Sequence, residues 1–219
     1  MKGGGPFFGR GEPRAYHHGR LKEALIEAAR LLVSERGPAG FTLADAAKLA
    51  GVTAAAPYRH FADRGALIEE LTRRGFELFG ERLKEAWSDG APDPVAALNR
   101  MGVAYLAFAR GERGLYTAMF ASVQTLNAPA AGQAASSALE LLRRAAAAVL
   151  RVSGAPEADA RALAFEVWSV SHGVAMLSVA GHLDPAFDGA DPAEILRRAT
   201  AGLVEAAVRR RQRDPVEHR

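Results

Sequence analysis

The chain has no cysteine among its 219 residues. Disulfides and thiolate metal sites are therefore excluded, and the composition fits a reducing cytoplasm. No other metal site is indicated. The six histidines, His17, His18, His60, His172, His182 and His218, contain no i,i+4 pair of the kind a helix uses to hold zinc. The first twenty residues, "MKGGGPFFGRGEPRAYHHGR", lack the apolar run of about 7–15 residues that a signal peptide needs. The glycines of "KGGGPFFGRG" follow no strand and lack a closing Lys-Ser/Thr, so they make no phosphate-binding loop. No Ser-His-Asp or Cys-His arrangement can be argued, no catalytic residue is assigned and no cofactor is implied. The longest apolar stretch, "ALAFEVWSVSHGVAMLSVAGHL", is interrupted by Glu166 and His172. It reads as a buried core helix rather than a membrane span. Neither β-alternation nor an internal repeat is present.

What the chain does have is helix-forming material. About half of it is apolar (49%), with abundant Ala and Leu and scattered β-branched residues, which points to an all-α fold. Apolar spacing and cap signals divide it into about nine helices: 19–36, 43–50, 54–61, 64–86, 94–109, 112–122, 133–152, 156–182 and 193–211. Thr42 is a good N-cap with Asp45 three residues on, Gly51 a good stop, and Asp63 a further cap. Asp93-Pro94 and Asp191-Pro192 each pair an N-cap with proline at the first helical position. The stretch 127–137 is weakly patterned and reads as partly loop. Residues 1–15 read as a flexible arm and 212–219 as a flexible tail. The helix over 64–86 links a small N-terminal group to a larger C-terminal one. Net charge is only +3, but residues 1–62 hold nine Lys/Arg against five Asp/Glu, and the rest nineteen against twenty. The basic excess thus sits at the end that would meet phosphates.

Residues 42–61 have the pattern of a helix-turn-helix. Leu43, Ala46, Ala47 and Ala50 form one face of the first helix, and the small residues allow a second helix to cross closely. Gly51 permits the tight turn and Val52 plugs the corner. Phe61 can reach the core while Tyr58 lies near its edge. On these residues the stretch "FTLADAAKLAGVTAAAPYRHFADRGALIEEL" resembles the DNA-binding region of the TetR family of bacterial regulators. Its "G-V-T-x-x-x-x-Y-x-H-F" and "D-R-x-x-L" runs carry the likeness over 16–72, and "YHHGRLKEALIEAA" fits the family's first helix. Downstream, "WSVSHGVAMLSVAGHL" is similar to the family's W-H-G subgroup through Trp168, His172 and Gly173.

The resemblance implies a helix-turn-helix domain over 16–72 and a C-terminal effector-binding and dimerisation domain over 73–211. It implies a cytoplasmic homodimer, in keeping with a repressor, released from a double-stranded palindromic operator by a small-molecule effector. It implies neither enzyme activity nor membrane attachment. Thr42 and Thr53 stand at helix starts, where a hydroxyl and free N–H groups suit a phosphate. Tyr58 and His60 match the family's backbone-contacting positions, and Arg64 a position usually held by lysine. Arg59 points either to DNA or to solvent. A simple capping role stays open for both threonines, a core role for Tyr58, and an ordinary exposed site for His60.

The reading edge is unusual. Ala54, Ala55 and Ala56 cannot make bidentate bonds to a base, but they can pack on a thymine methyl and admit a close backbone. Shape readout, with Arg10, Arg14 and Arg20 in the minor groove, would then add specificity. Pro57 predicts a distorted or late helix start, because it lacks the N–H for the Thr53 carbonyl.

In the C-terminal part, Trp168, His172 and Met176 share a helix face at i, i+4 and i+8. With Phe79, Tyr105, Phe108, Tyr116, Met119 and Phe120 they are candidates for a pocket holding a mostly apolar effector with one polar handle, or else for plain core or dimer interface. Gly173, Ala175, Ala199, Gly202 and Ala206 permit close helix approach, either in a four-helix dimer interface or within one chain. Two rivals remain at this level: an all-α enzyme centred on His172, and a protein-interaction adaptor with a degenerate helix-turn-helix.

Overall fold

The computed structural model of the chain describes residues 14–121, 128–183 and 191–213, and the side chains of 20–121, 128–183 and 191–210. Most of the expected arm and tail, with Arg10 and the side chain of Arg14, lies outside the described residues. Among the described residues there are eight α-helices, three short 3-10 segments and no strand.

Helix α1 (Arg14–Arg36) buries Leu25, Ala28, Ala29 and Leu32. It stops where Gly37 turns left-handed (φ 75°) and donates its N–H to the Val33 carbonyl at 2.9 Å. Helix α2 (Leu43–Leu49) opens on a reciprocal cap: Asp45 N–H donates to Thr42 Oγ1, and Thr42 N–H to Asp45 Oδ2. It ends in paired turns at Gly51 (φ 70°), where Gly51 N–H reaches the Lys48 carbonyl and Val52 N–H that of Ala47. Helix α3 (Arg64–Trp87) starts on Asp63, whose Oδ1 accepts from Ala66 N–H at 2.8 Å. It then runs unbroken across the 72/73 boundary expected between the two domains.

Helix α4 (Pro94–Gly111) and α5 (Arg113–Met119) follow, then α6 (Pro129–Val152), α7 (Ala160–Val179) and α8 (Pro192–Arg213). Asp93 and Asp191 cap α4 and α8 as their Asp-Pro pairs predict. Three helices differ most from expectation at their ends, and α1 already starts at Arg14 rather than 19, inside the expected arm. Helix α6 takes in most of the weakly patterned stretch, because Pro129 already starts a helix there. Helix α7 is shorter than 156–182, since 157–159 forms a 3-10 turn and Ala180 caps the other end.

Two groups of helices share α3. The N-terminal group packs α1 and α2 against the first turns of α3 around Leu25, Phe41, Leu43, Ala46, Phe61 and Leu67, all at most 5% exposed. The larger group packs α4 and α6 against the rest of α3, and α7 and α8 against α4, α6 and each other. Helix α5 is wedged between them. Its Gly114 lies against the Arg30 carbonyl of α1, and its Met119 lies on Gly75 of α3. The buried Thr72 hydroxyl donates to the Ala118 carbonyl at 3.1 Å. Helix α7 corrects the buried-helix reading. It is long and apolar enough to cross a membrane by length and composition. It buries Leu163, Val167, Val174 and Ala175 against the protein, yet leaves Phe165, Met176 and Leu177 exposed on its other side.

Candidate nucleic-acid interface and ligand cavity

The expected third helix, 54–61, is absent, and the physical reason is Pro57. Without an N–H, proline leaves the Thr53 carbonyl to Ala56 N–H at 2.9 Å, an i+3 bond. The chain then makes a 3-10 turn, Pro57–Arg59, with Phe61 N–H returning to the Pro57 carbonyl. The Pro57 ring is fully buried and Phe61 is 5% exposed. These two anchors pin a short segment most of whose other side chains face outward. Thr53, Ala54, Ala55, Tyr58 and Arg59 are exposed, whereas Ala56 and His60 are half-buried. Tyr58 is 63% exposed. Thr42 is exposed at the start of α2, its hydroxyl donating to Asp45 Oδ2 at 2.7 Å. That bond holds the Asp45 carboxyl below its usual range. Arg64 Nη1 donates to the Ala39 and Phe41 carbonyls at 3.0 and 3.3 Å, tying α3 to the loop before α2. Among the described residues its Nε and Nη2 have no partner. The structure therefore gathers Thr42, Thr53, Ala54, Ala55, Tyr58, Arg59 and Arg64 at the outer surface of the N-terminal group, with Ala56 and His60 at its edge.

Behind this surface, an ion-pair lattice joins α1 to α3. Arg74 reaches Glu23 at 2.6 Å and Glu70 at 3.0 Å, Arg73 bonds Glu70 and Glu77, and Lys22 lies 3.6 Å from Glu70. The Arg73 hydrogen bond, helped by Arg74 and Lys22, holds the Glu70 carboxyl down at about 2 against the opposing effect of burial.

A cavity of about 470 Å³ opens between α3, α4, α6, α7 and α8. Its walls are mostly apolar, from Phe76, Phe79, Leu98, Met101, Leu139, Leu142 and Leu196. Four of the expected pocket residues, Phe79, Tyr105, Phe120 and Trp168, line it. Five, Phe108, Tyr116, Met119, His172 and Met176, are not among its lining residues. Phe108 and Met119 are 5% and 0% exposed and are packed away as core. Met176 is 48% exposed on the outer side of α7, because the i+8 position has rotated off the cavity face. His172 stands behind the wall, with Tyr105 Oη at 3.1 Å and Tyr116 Oη at 2.9 Å from its Nδ1. Phe120 packs on the imidazole with ring centroids 4.4 Å apart. Burial lowers the His172 pKa and raises those of Tyr116, to about 12, and Tyr105. The cluster is thus a neutral hydrogen-bonded support for Tyr105 rather than a lining group.

Sequence reasoning found Phe79 on α3 but missed the walls supplied by α6 and α8. One signal was available: Leu196, Thr200, Leu203 and Ala207 fall at helical spacing, so Thr200 is a polar residue on an otherwise apolar stripe. Thr200 is 6% exposed and lines the cavity.

The comparisons with known proteins agree with this geometry. The profile of the tetR family of bacterial regulatory proteins matches residues 25–71, which span the N-terminal group. That of the tetracyclin repressor-like C-terminal domain matches 98–203, which hold most of the cavity. The HTH-type transcriptional regulator TtgR of Pseudomonas putida is 35% identical over 77 residues. That alignment spans 35% of this chain and 37% of TtgR. A solved structure of a protein of unknown function from Rhodococcus sp. RHA1 superposes with a TM-score of 0.74 at 27% identity, covering 90% of this chain and all of the other. The transcriptional regulator FadR from Bacillus subtilis, solved in complex with stearoyl-CoA, has a TM-score of 0.67 at 16% identity, covering 83% and 97%. At that identity the likeness concerns the fold. With both of its helical groups matched, one by each profile, this chain belongs to the tetR family of bacterial regulatory proteins.

Proposed function

We propose that this protein is a cytoplasmic, homodimeric transcriptional repressor whose N-terminal group binds an operator and whose cavity takes a small, mostly apolar effector. The observation that carries the reading is the pinned segment 53–60, which presents a near-bare edge of alanines flanked by phosphate-seeking groups. Thr42, Thr53, Tyr58, His60 and Arg64 hold the DNA backbone. Arg64 does so with Nε and Nη2 while Nη1 keeps the loop before α2 in place. Ala54 and Ala55, with Ala56 at the margin, lie against thymine methyls, and Arg59 reaches the groove wall. The short 3-10 geometry shortens the reading element, so shape and deformability of the operator supply the remaining specificity.

The second subunit docks on the outer side of α7 and α8. Phe165, Met176 and Leu177 are exposed there, and a Cβ at Gly173 or Gly202 would meet nothing within 4 Å. Ala175, by contrast, is fully buried and serves packing within the chain. The reading extends to the W-H-G subgroup, which Trp168, His172 and Gly173 support by their likeness to its motif. Here the tryptophan is in the wall, the histidine behind it, and the glycine on the dimer side of the same helix. Effector in the cavity presses on Phe120, which caps α5, and α5 bears on both α1 and α3. Binding thereby favours a dimer whose heads no longer fit successive major grooves about 34–36 Å apart. The family match favours this regulatory role over turnover in the cavity.

The test is a titration of double-stranded DNA from upstream of the protein's own gene, across a salt series. The proposal expects preference over unrelated DNA and a steep fall in affinity as salt rises, because phosphate contacts release counterions. No preference, or a flat salt dependence, refutes it.

A further inference from the structure

We infer that the effector is electrically neutral and is recognised through one hydroxyl or carbonyl group held by Thr200, an inference that rests on reading the cavity as the effector site. The charged side chains of the walls are already engaged. Arg197 is paired with Glu194 at 2.6 Å. Asp191 accepts Ala193 N–H at the start of α8. Arg100 donates from Nε to the Ala86 carbonyl at 3.1 Å and from Nη2 to the Ala91 carbonyl. Those carbonyls lie at and just beyond the C-terminal end of α3, where the helix dipole accommodates a cation. The deeper wall, from Phe76, Phe79, Phe120 and Trp168 to Leu139 and Leu142, carries no charge. A carboxylate or ammonium moved there would lose its hydration without gaining a counter-ion.

Asn99 is half-buried and Ser136 exposed, so water reaches both. The buried neutral polar groups differ in what they have left to offer. Ser171 Oγ donates to the Val167 carbonyl at 2.7 Å, and Tyr105 Oη is bonded to His172. Thr200 is 6% exposed, lines the cavity, and among the described residues its hydroxyl has no hydrogen-bond partner. The hydroxyl is left open to the cavity, so a ligand group that meets it replaces the water it would otherwise hold. The arrangement therefore selects for a donor or acceptor at one end of an apolar body, and against charge.

Three probes of matched shape separate the possibilities: 4-pentylbenzyl alcohol, 4-pentylbenzoate and pentylbenzene, titrated calorimetrically into the full-length protein at pH 7 without DNA. The expected order is alcohol tightest, then pentylbenzene, with benzoate at least ten-fold weaker than the alcohol. Thr200→Val should erase most of the alcohol's advantage over pentylbenzene, and Thr200→Ser should keep it. Benzoate binding as tightly as the alcohol would overturn the inference and point to Arg100 as an anion site. A Thr200→Val protein that keeps the alcohol preference would also overturn it, as would failure of all three probes to bind. Because DNA is absent, such failure leaves operator binding untouched. Conversely, loss of operator preference with the probe ranking intact would refute the regulatory role alone.

Discussion

Substituting Gly114 by alanine tests the mechanical link between cavity and head. A Cβ at this position would overlap the Arg30 carbonyl oxygen outright and stand 3.0 Å from the carbonyl carbon and 3.1 Å from Arg30 Cγ. The obstacle is mainly the backbone of α1, which cannot rotate aside as a side-chain end can. Overpacking of this kind costs about 1–3 kcal/mol, offset by about 0.5–1 kcal/mol from replacing a helical glycine. Because the obstacle is backbone the cost falls in the upper part of that range, and a net loss of about 1–2 kcal/mol corresponds to a fall in melting temperature of about 2–8 °C for a chain of this length. Gly80→Ala is the matched control. It lies within α3 with nothing within 4 Å of its Cβ, so it should raise the melting temperature slightly. Calorimetric melting of both variants reads the stability. DNA titration with and without a cavity ligand reads the coupling, which should shrink in Gly114→Ala because α5 is pushed off α1. An unchanged melting temperature together with undiminished coupling would refute the view that α5 transmits through this contact.

Tyr58→Phe removes one exposed hydroxyl and should weaken all DNA binding about five- to ten-fold, near 1 kcal/mol, with an unchanged salt slope in fluorescence anisotropy. Arg64→Ala should weaken binding and also reduce the slope by about one, the signature of a lost phosphate contact. Replacing the operator thymines nearest the dyad-related reading edges by uracil removes only methyl groups, and band-shift titration should show lower affinity if Ala54 and Ala55 pack there. The Glu70 carboxyl, held down at about 2, is charged in the folded protein well below the pH at which it protonates when unfolded. It thus stabilises the fold above about pH 4.5 and loses that effect as pH falls toward 2. Glu70→Gln should therefore lower the melting temperature at pH 7, with the gap to wild type closing in acid.

Much of the fold was legible because its signals are local. Asp63, Asp93 and Asp191 each cap the helix expected of them, and Gly51 takes the left-handed turn its position calls for. Pro57 was legible as a distortion but not in degree. Proline chemistry forbids one hydrogen bond, whereas the collapse of the whole expected helix into a 3-10 turn depends on the proline ring and Phe61 being buried together. The cavity was the least legible feature. A pocket is where facing helices fail to fill space, so it depends on the relative rotation of five helices rather than on any one pattern. Trp168 and Tyr105 fell on the inner side, whereas Met176, two turns from Trp168, came out on the surface. His172 was noticed for its chemistry, yet its place is behind Tyr105. Thr200 was passed over because one hydroxyl among apolar residues is unremarkable until the space in front of it is known.

The central claim, that paired heads read double-stranded DNA, is tested most directly by selection from a random double-stranded library with the full-length protein. Repeated rounds should enrich an inverted repeat with half-sites one helical turn apart and thymine at the positions facing the alanine edge. Recovery of a pool no different from the input would contradict it.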